Sequence, residues 1–335
     1  MAAVIPGGVV GIGSLNLDLI YEVDELEEVC RRLGLAPGRE RSCGRDELDR
    51  LVAMMEAEGR RVACSGGGSA ANTVAAMARL GWRCGFLGAV GRDREGELVA
   101  SSMEGVDLRC VARQGRTAVC LVILGRDQRD RAMVVAPAQG WLPALDQGCL
   151  DRARSAELLH LSSFVTQEGL RFQEEVVAGA QPGQVVSMDP GEIYAALPRA
   201  RLAPLLARVD ILLVTARELE MLFGPAAAGV EEAMATLHRR SRHPLAPILP
   251  MVVVKDGARE ARCHWRGGSA AAAPEEAAHV VDTTGAGDAF DAGFLHGLLR
   301  GKSPRQALER GHRVARLSLT AYGRGWLEGL EGSLI

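Results

Sequence analysis

The chain has 335 residues, of which 47% are apolar and 24% are charged, so it can bury one large core or two smaller ones. Its 39 basic and 42 acidic residues give a formal net charge of −3, which argues against nucleic acid or an anionic membrane as a partner. No apolar run reaches transmembrane length, the first residues carry no basic segment, and the eight cysteines include no C-x-x-C pair. We therefore expect a cytoplasmic protein whose cysteines form neither disulfides nor a zinc site.

Short apolar strands alternate with helical stretches along most of the chain. The predicted strands are 9–13, 86–91, 157–164, 184–190, 210–215 and 251–255, and the clearest predicted helices are 69–80 and 93–103. This alternation predicts an α/β protein with a central, mostly parallel β-sheet flanked by helices. Residues 117–135 differ, because two apolar runs around the turn GRDQRDR predict an antiparallel hairpin.

The first strand leads into GSLNLDLIYEVDEL (13–26), in which apolar and polar residues alternate. The alternation places Asn16 and Asp18 on one face of a second strand. The letters G-I-G-S-L-N also begin like a dinucleotide-binding fingerprint. That reading fails, because the third glycine is missing and a strand pattern continues where a helix should open.

Residues 26–63 predict two helices, the second starting near Gly44–Asp46. The segment CSGGGSAANTVAAMARLG (64–81) follows, with Asn72 in the first turn of a helix rich in small residues. Glycines allow the backbone to approach a ligand closely, and an asparagine both donates and accepts hydrogen bonds, which suits a ligand rich in hydroxyl groups.

The next segments carry weaker signals. In FLGAVGRDREG (86–96), Asp93 is predicted only to cap the following helix. In VVVKDGARE (252–260), Lys255 ends a predicted strand and Gly257 lies in the turn that follows it. The low-complexity stretch 267–278 is predicted to be a surface loop.

The most informative segment is DTTGAGDAFDAGF (282–294). A Gly-Ala-Gly turn exposes backbone N–H groups where a helix begins, and such a helix end attracts phosphate. Asp288 follows the turn directly and places a proton acceptor beside that phosphate. The combination predicts phosphoryl transfer to a hydroxyl group rather than phosphate binding alone.

Several of these segments resemble motifs of the ribokinase-like (PfkB) carbohydrate kinase family, in the expected order. GGSAAN is similar to its first signature and DTTGAGD to its second, and GSLNLD, FLGAVGRDREG, DILLVTARELE and VVVKDGARE match further elements. The resemblance implies a ribokinase-like fold in a single domain spanning 1–335. It also implies a small β lid formed from segments near 15–25 and 108–136, with 26–63 as a helical insertion.

The resemblance also implies roles for individual residues. Asp288 would be the general base, and Gly285, Ala286 and Gly287 would form the anion hole. Asn16, Asp18, Gly67, Gly68 and Asn72 would bind the acceptor. Thr215, Glu218, Lys255, Gly257 and His312 would lie on the nucleotide side, with Glu218 organising Mg²⁺ through water. The expected cofactors are ATP and Mg²⁺. Asp282 and Thr283 match a monovalent-cation loop of some relatives, which makes K⁺ a further candidate.

Thr215 stands where the family carries asparagine, which leaves the geometry of metal and phosphate open. The helical insertion, its GLAPG turn and the GGSAAN motif are closest in layout to the adenosine and nucleoside kinase branch. They favour a nucleoside or ribosyl acceptor, phosphorylated on a hydroxymethyl group. Aromatic residues make up only 4% of the chain, and the few candidates to stack a base are Phe164, Tyr21, Trp141 and Tyr194.

Two alternatives therefore stay open. One is a plain sugar kinase of the ribokinase or fructokinase type, and the other is a non-catalytic sensor of nucleotide or sugar. Either a monomer or a homodimer fits the resemblance.

Overall fold

The computed structural model describes residues 7–126, 130–139, 147–237, 242–277 and 279–330. The strands are β1 (Val9–Ile12), β2 (Asn16–Val23), β3 (Glu40–Ser42), β4 (Arg60–Gly67), β5 (Cys84–Val90), β6 (Val106–Asp107), β7 (Val111–Arg113), β8 (Ala118–Gly125), β9 (Arg131–Ala136), β10 (Leu158–Ser162), β11 (Val185–Asp189), β12 (Ile211–Thr215), β13 (Met251–Lys255), β14 (Ala261–Trp265) and β15 (Gly268–Ala272). The helices are α1 (Leu26–Arg32), α2 (Arg45–Glu58), α3 (Ser69–Arg79), α4 (Arg94–Ser101), α5 (Gln147–Ser155), α6 (Gln167–Ala178), α7 (Gly191–Ala195), α8 (Arg199–Leu206), α9 (Ala216–Phe223), α10 (Ala226–Thr236), α11 (Ala286–Leu299) and α12 (Pro304–Ser318). Two 3₁₀ turns span Ala246–Ile248 and Gly325–Gly329.

The larger sheet has the order β15-β14-β13-β12-β11-β10-β1-β5-β6, with β7 also pairing with β5. Its pairs from β13 to β6 are parallel, and only β13–β14 and β14–β15 are antiparallel. The predicted central parallel sheet is thus confirmed. The predicted loop at 267–278 is partly wrong, because Gly268–Ala272 pairs with β14 at the edge of the sheet, where backbone hydrogen bonds override the low strand preference of alanine.

Both faces of the larger sheet are covered. Successive strand residues alternate between two apolar cores: Val9 and Leu158 face one side with α3, α11 and α12, and Val10 and Leu159 face the other with α5, α6, α8 and α9. A parallel sheet buried on both faces explains why its strands read as continuous apolar runs.

A smaller sheet has the order β3-β9-β8-β2-β4, in which β8 and β9 form the predicted antiparallel hairpin. The predicted lid segments 15–25 and 108–136 contribute β2, β8 and β9 to this smaller sheet. Strand β7 is an exception, because it pairs with β5 of the larger sheet. Residues 127–129 of the second segment lie outside the described residues. The helical insertion contributes α1 and α2, as predicted, and also β3, which pairs in parallel with β9. The insertion therefore adds an edge strand to the smaller sheet.

Helices α11 and α12 pack unusually close together. A Cβ atom on Gly293 would lie only 2.6 Å from the carbonyl oxygen of Arg310, and one on Gly311 would lie 2.8 Å from the ring of Phe290. The approach fixes the position of α11, whose first turn carries Asp288.

One expectation from composition is wrong. Cys110 and Cys149 form a disulfide that joins the segment before β7 to α5, because the fold brings together two cysteines 39 residues apart in sequence. The other six cysteines are free, as expected. Within the described ranges, no helix combines the length and apolar character that crossing a membrane requires.

Candidate active site

A cavity of about 440 Å³ lies between the smaller sheet and the carboxyl ends of β11, β12 and β13. Ten of the sequence-predicted site residues line it: Asn16, Asp18, Gly68, Asn72, Thr215, Glu218, Lys255, Gly285, Gly287 and Asp288. Crevices at the carboxyl ends of parallel strands are where open α/β sheets bind ligands. The fold therefore gathers residues from the two ends of the sequence into one cleft.

The first turn of α11 forms one wall of this cavity. Gly285 caps the helix with φ of 75°, a left-handed conformation that glycine adopts without strain. Ala286 donates its N–H to the carbonyl of Thr283 at 3.3 Å, so its amide is already engaged. Gly287 lines the cavity directly, and the helix end gives this wall a partial positive charge.

Asp288 is held by α3 through both carboxylate oxygens. Ser69 donates its hydroxyl to Oδ1 at 2.7 Å, and Asn72 donates its amide Nδ2 to Oδ2 at 2.8 Å. Thr73 also donates to the main-chain carbonyl of Asp288 at 3.1 Å. Burial, followed by the negative charge of Asp189, raises the pKa of Asp288, and the bonds from Ser69 and Asn72 oppose that rise.

The smaller sheet supplies the polar side chains of the opposite wall. Asn16 and Asp18 lie on the same face of β2, both buried, and the Asn16 amide donates to Asp18. Burial raises the pKa of Asp18 to about 7. A Cβ atom on Gly67 would lie 2.2 Å from the Asp18 carboxylate, and one on Gly68 would lie 2.1 Å from the carbonyl of Ser14, so both positions need glycine.

Two further cavity residues come from the smaller sheet and carried no recognisable sequence signal. Glu40 on β3 lines the cavity, and burial, with the nearby Glu192, raises its pKa to about 7. Arg131 on β9 donates through Nη1 to the Thr283 hydroxyl at 3.1 Å, while its buried Nε has no hydrogen-bond partner among the described side chains and backbone groups. No carboxylate lies within salt-bridge distance of Arg131 in the part of the chain that the structure describes.

The nucleotide-side candidate Lys255 is buried rather than solvated. Its Nζ contacts Asp189 Oδ2 at 2.7 Å and Asp291 Oδ1 at 3.0 Å, and a Cβ atom on Gly287 would lie 3.4 Å from it. Burial acts to raise the pKa of Asp189, but the Lys255 ammonium and the hydrogen bonds with Asp291 and the Gly191 N–H together outweigh it, so the pKa is lowered. Asp189 ends β11 and could have been found as an acidic residue at the carboxyl end of a predicted parallel strand.

Thr215 and Glu218 form a capping box at the start of α9. Glu218 Oε2 accepts from the Thr215 N–H at 2.8 Å, and the Thr215 hydroxyl accepts from the Glu218 N–H at 3.2 Å. The threonine found in place of the family's asparagine therefore has a structural role. Burial and the nearby Asp189 raise the pKa of Glu218 to about 7.

Other predicted residues lie outside the cavity lining. Gly257 occupies a left-handed turn with open space around it. His312 Nε2 lies 2.8 Å from the carbonyl oxygen of Ala272. The Asp282 carboxylate accepts from the main-chain N–H of Thr284 at 2.8 Å, within its own loop.

Of the three aromatic candidates that the structure describes, Phe164 alone lies beside the site. Phe164 lines a second cavity of about 260 Å³ that shares Ser14 and Val165 with the first. Tyr21 and Tyr194 are wrong as stacking candidates, because both are buried in apolar cores. Trp141 lies outside the described residues.

Comparisons with known proteins point to one family. The model described as pfkB family carbohydrate kinase matches residues 44–326. An uncharacterized sugar kinase of Archaeoglobus fulgidus is 32% identical over 263 residues, covering 77% of this chain and 99% of that protein. The ATP-dependent ribose-1-phosphate kinase of Halopiger xanaduensis is 33% identical over 269 residues, covering 78% of this chain and 83% of that protein. The crystal structure of adenosine kinase from Sinorhizobium meliloti superposes with a TM-score of 0.81 at 20% identity, covering 94% of each chain.

Proposed function

This chain belongs to the pfkB family of carbohydrate kinases, and we propose that it transfers the terminal phosphoryl group of ATP to a hydroxymethyl group of a nucleoside or related ribosyl compound. Its kinase activity and ribokinase-like fold follow from the family, and the acceptor and the residue roles are our proposal. One observation carries it: Asp288 lines the cavity at the start of α11, facing the polar wall of β2.

Asp288 acts as the general base. Its two hydrogen bonds hold the carboxylate in a fixed orientation, which favours the geometry of proton acceptance from an acceptor hydroxyl. A carboxylate is a weak base for an alcohol, so the proton is transferred late, as charge leaves the nucleophile in a loose transition state. The raised pKa brings Asp288 closer to the range of an efficient base.

Positive charge meets the transferred phosphoryl group from two sides. The start of α11, with the glycines Gly285 and Gly287, offers N–H groups and the helix dipole. Arg131 reaches across from β9 to the loop before this helix and brings a guanidinium that forms no salt bridge among the described residues, although its charge opposes the rise in the pKa of Glu40. The smaller sheet thus acts as a lid that completes the anion hole when it is closed.

Glu218 and Asp189 fit a magnesium site, because both are carboxylates at the nucleotide side of the cavity. Among the described residues, no group of three or more His, Cys, Asp or Glu side chains is arranged to hold a metal. This donor set suits Mg²⁺, which keeps several waters and binds through one or two carboxylates and substrate phosphates. When bound, the metal neutralises charge on the transferring phosphates.

The shape of the acceptor side supports a ribosyl compound with an apolar substituent. Asn16, Asp18 and Glu40 give the main cavity a wall of hydroxyl-binding groups. The adjoining cavity has a mostly apolar lining that includes Leu15 and Phe164. A sugar ring in the first cavity would place a base in the second.

A plain sugar is the second candidate, favoured by the 32% identity to a sugar kinase and by the single aromatic ring, that of Phe164, which the described residues place beside the acceptor. A catalytically idle sensor of the same fold is the third. The open cavity in front of Asp288 speaks against the sensor.

A coupled ADP-release assay with ATP and Mg²⁺ tests the proposal across nucleosides, ribose, fructose and ribose 1-phosphate. We expect the highest kcat/KM with a nucleoside. Ala138→Leu, which narrows the second cavity, should lower kcat/KM for nucleosides and leave that for ribose unchanged. A preference for free sugars, unaffected by this substitution, would support the sugar kinase instead. Ligand binding without ADP release would support the sensor.

A further inference from the structure

Arg324 lies behind the acceptor wall and does not line the cavity. Its side chain is almost completely buried, at 8% exposure. Nε donates to Asn72 Oδ1 at 2.9 Å, Nη2 to the carbonyl of Gly67 at 3.1 Å, and Nη1 to the Ser102 hydroxyl at 2.7 Å. The main-chain N–H of Arg324 donates to the Ser65 hydroxyl at 3.0 Å. The residue therefore joins the end of β4, the start of α3 and the end of α4.

The contact with Asn72 decides which way that amide points. A guanidinium can only donate hydrogen bonds, so the Asn72 oxygen must face Arg324. The NH₂ group must then face Asp288, where it donates to Oδ2 at 2.8 Å. A reversed amide would set its NH₂ against the guanidinium and its oxygen against a carboxylate, leaving both contacts repulsive.

Arg324 also acts on the acceptor wall. Burial raises the pKa of Asp18, and the Arg324 charge is the largest influence opposing that rise, together with the Asn16 hydrogen bond. Asp282 and Asp288 act in the other direction. Because Arg324 also holds the carbonyl of Gly67, it supports the backbone against which Asp18 packs.

We propose that Arg324 is a positioning residue for phosphoryl transfer, which fixes the Asn72 amide as a donor to Asp288 and keeps Asp18 in place. The proposal rests on the proposed function for its kinetic consequences. Its structural part does not, because the orientation of Asn72 is a property of the free protein.

The kinetic test is a double-mutant cycle between Arg324 and Asn72. Arg324→Met removes every side-chain donor at similar length, and we expect kcat to fall about 10- to 100-fold, since a hydrogen bond involving a charged group is lost. The dissociation constant of ATP should stay within about twofold of wild type, because the ATP side is untouched. In the Asn72→Ala background, Arg324→Met should change kcat less than about twofold, because the effect passes through Asn72. Independent, multiplying effects would overturn the proposal.

The pH profile gives a second readout. When the pH is lowered, the acceptor KM should rise as Asp18 becomes protonated. Arg324→Met lacks the charge that opposes this protonation, so the rise should begin at a higher pH than in wild type. An unshifted profile contradicts the action on Asp18.

Arg324→Lys keeps a charge, so its kcat and its pH profile should lie between those of wild type and those of Arg324→Met. It replaces the methionine variant in the double-mutant cycle if that variant fails to fold. Arg152→Met is the matched control, because Arg152 is also a buried arginine, on α5, and pairs with Asp107. It should leave kcat and the profile unchanged.

A turnover-independent measurement separates this proposal from the proposed function. The chain contains only two asparagines, Asn16 and Asn72, so ¹⁵N-asparagine labelling gives two side-chain amide pairs, assigned with Asn72→Ala. The Asn72 pair should exchange slowly with solvent in wild type and in Arg152→Met, and at least about tenfold faster in Arg324→Met. Unchanged exchange overturns the positioning role even in an active enzyme. Slow exchange that Arg324→Met abolishes supports it even if no acceptor is phosphorylated.

Discussion

Asp288→Asn separates the chemical role of this residue from its structural role. Both carboxylate oxygens already accept a hydrogen bond, at 2.7 Å from Ser69 and 2.8 Å from Asn72. An asparagine can place its oxygen toward Asn72 and its NH₂ toward Ser69, whose hydroxyl can accept as well as donate. The contacts are kept and only proton acceptance is lost, so kcat should fall by about 10²–10⁴, or roughly 3–5 kcal/mol in the barrier.

The pH dependence of stability checks the same substitution independently. Burial raises the pKa of Asp288 in the folded state, so the folded protein binds this proton more tightly than the unfolded chain does. The free energy of unfolding therefore falls as the pH rises from the unfolded pKa through the folded one. Asp288→Asn should flatten this dependence and be at least as stable as wild type at pH 8.

Steady-state ADP release measures kcat, calorimetry measures the affinity for ATP, and urea denaturation at several pH values measures stability. Asp288→Ala is the matched comparison, because it also removes both hydrogen bonds and should lose stability as well as turnover. A kcat of Asp288→Asn within tenfold of wild type, with unchanged ATP affinity, would refute Asp288 as the base.

Three further substitutions test other parts of the site and fold. Gly67→Ala places a methyl group 2.2 Å from the Asp18 carboxylate, so it should raise the acceptor KM at least tenfold and leave the ATP KM unchanged. An acceptor KM equal to that of wild type would contradict this contact. The pKa of Asp18 is about 7 in the folded state and about 4 in the unfolded chain, so the free energy of unfolding should fall as the pH is raised from about 4 to about 7. Asp18→Asn should remove this part of the pH dependence, as measured by urea denaturation at several pH values. Gly293→Ala would bring a Cβ atom within 2.6 Å of the Arg310 carbonyl and should cost about 1–3 kcal/mol in urea denaturation, whereas a neutral result would mean that α11 and α12 separate easily.

The parts predicted well from sequence are those whose signal is local. The alternation of apolar strands and helices gave the central sheet, and the Gly-Ala-Gly turn before an apolar helix gave the start of α11. Each strand, helix and turn in these patterns is defined by consecutive residues, so neighbouring side chains carry the signal.

The residues that were missed depend on contacts between distant segments. Glu40 lies between the two predicted helices of the insertion, and it reaches the cavity because β3 pairs with β9. Arg131 is one of many arginines, and its position opposite Thr283 is set by the pairing of the smaller sheet. The disulfide between Cys110 and Cys149 was missed because no spacing rule brings two cysteines 39 residues apart together.

The contact between Arg324 and Asn72 joins positions 252 residues apart, and it bears on the order in which a newly made chain becomes competent. The ribosome releases the segment that carries Asn72 long before the one that carries Arg324. The nascent protein can bury most of its sheet while the Asn72 amide beside Asp288 is still free to turn. Translation must therefore pass beyond position 324 before the Asp288 carboxylate acquires its final orientation.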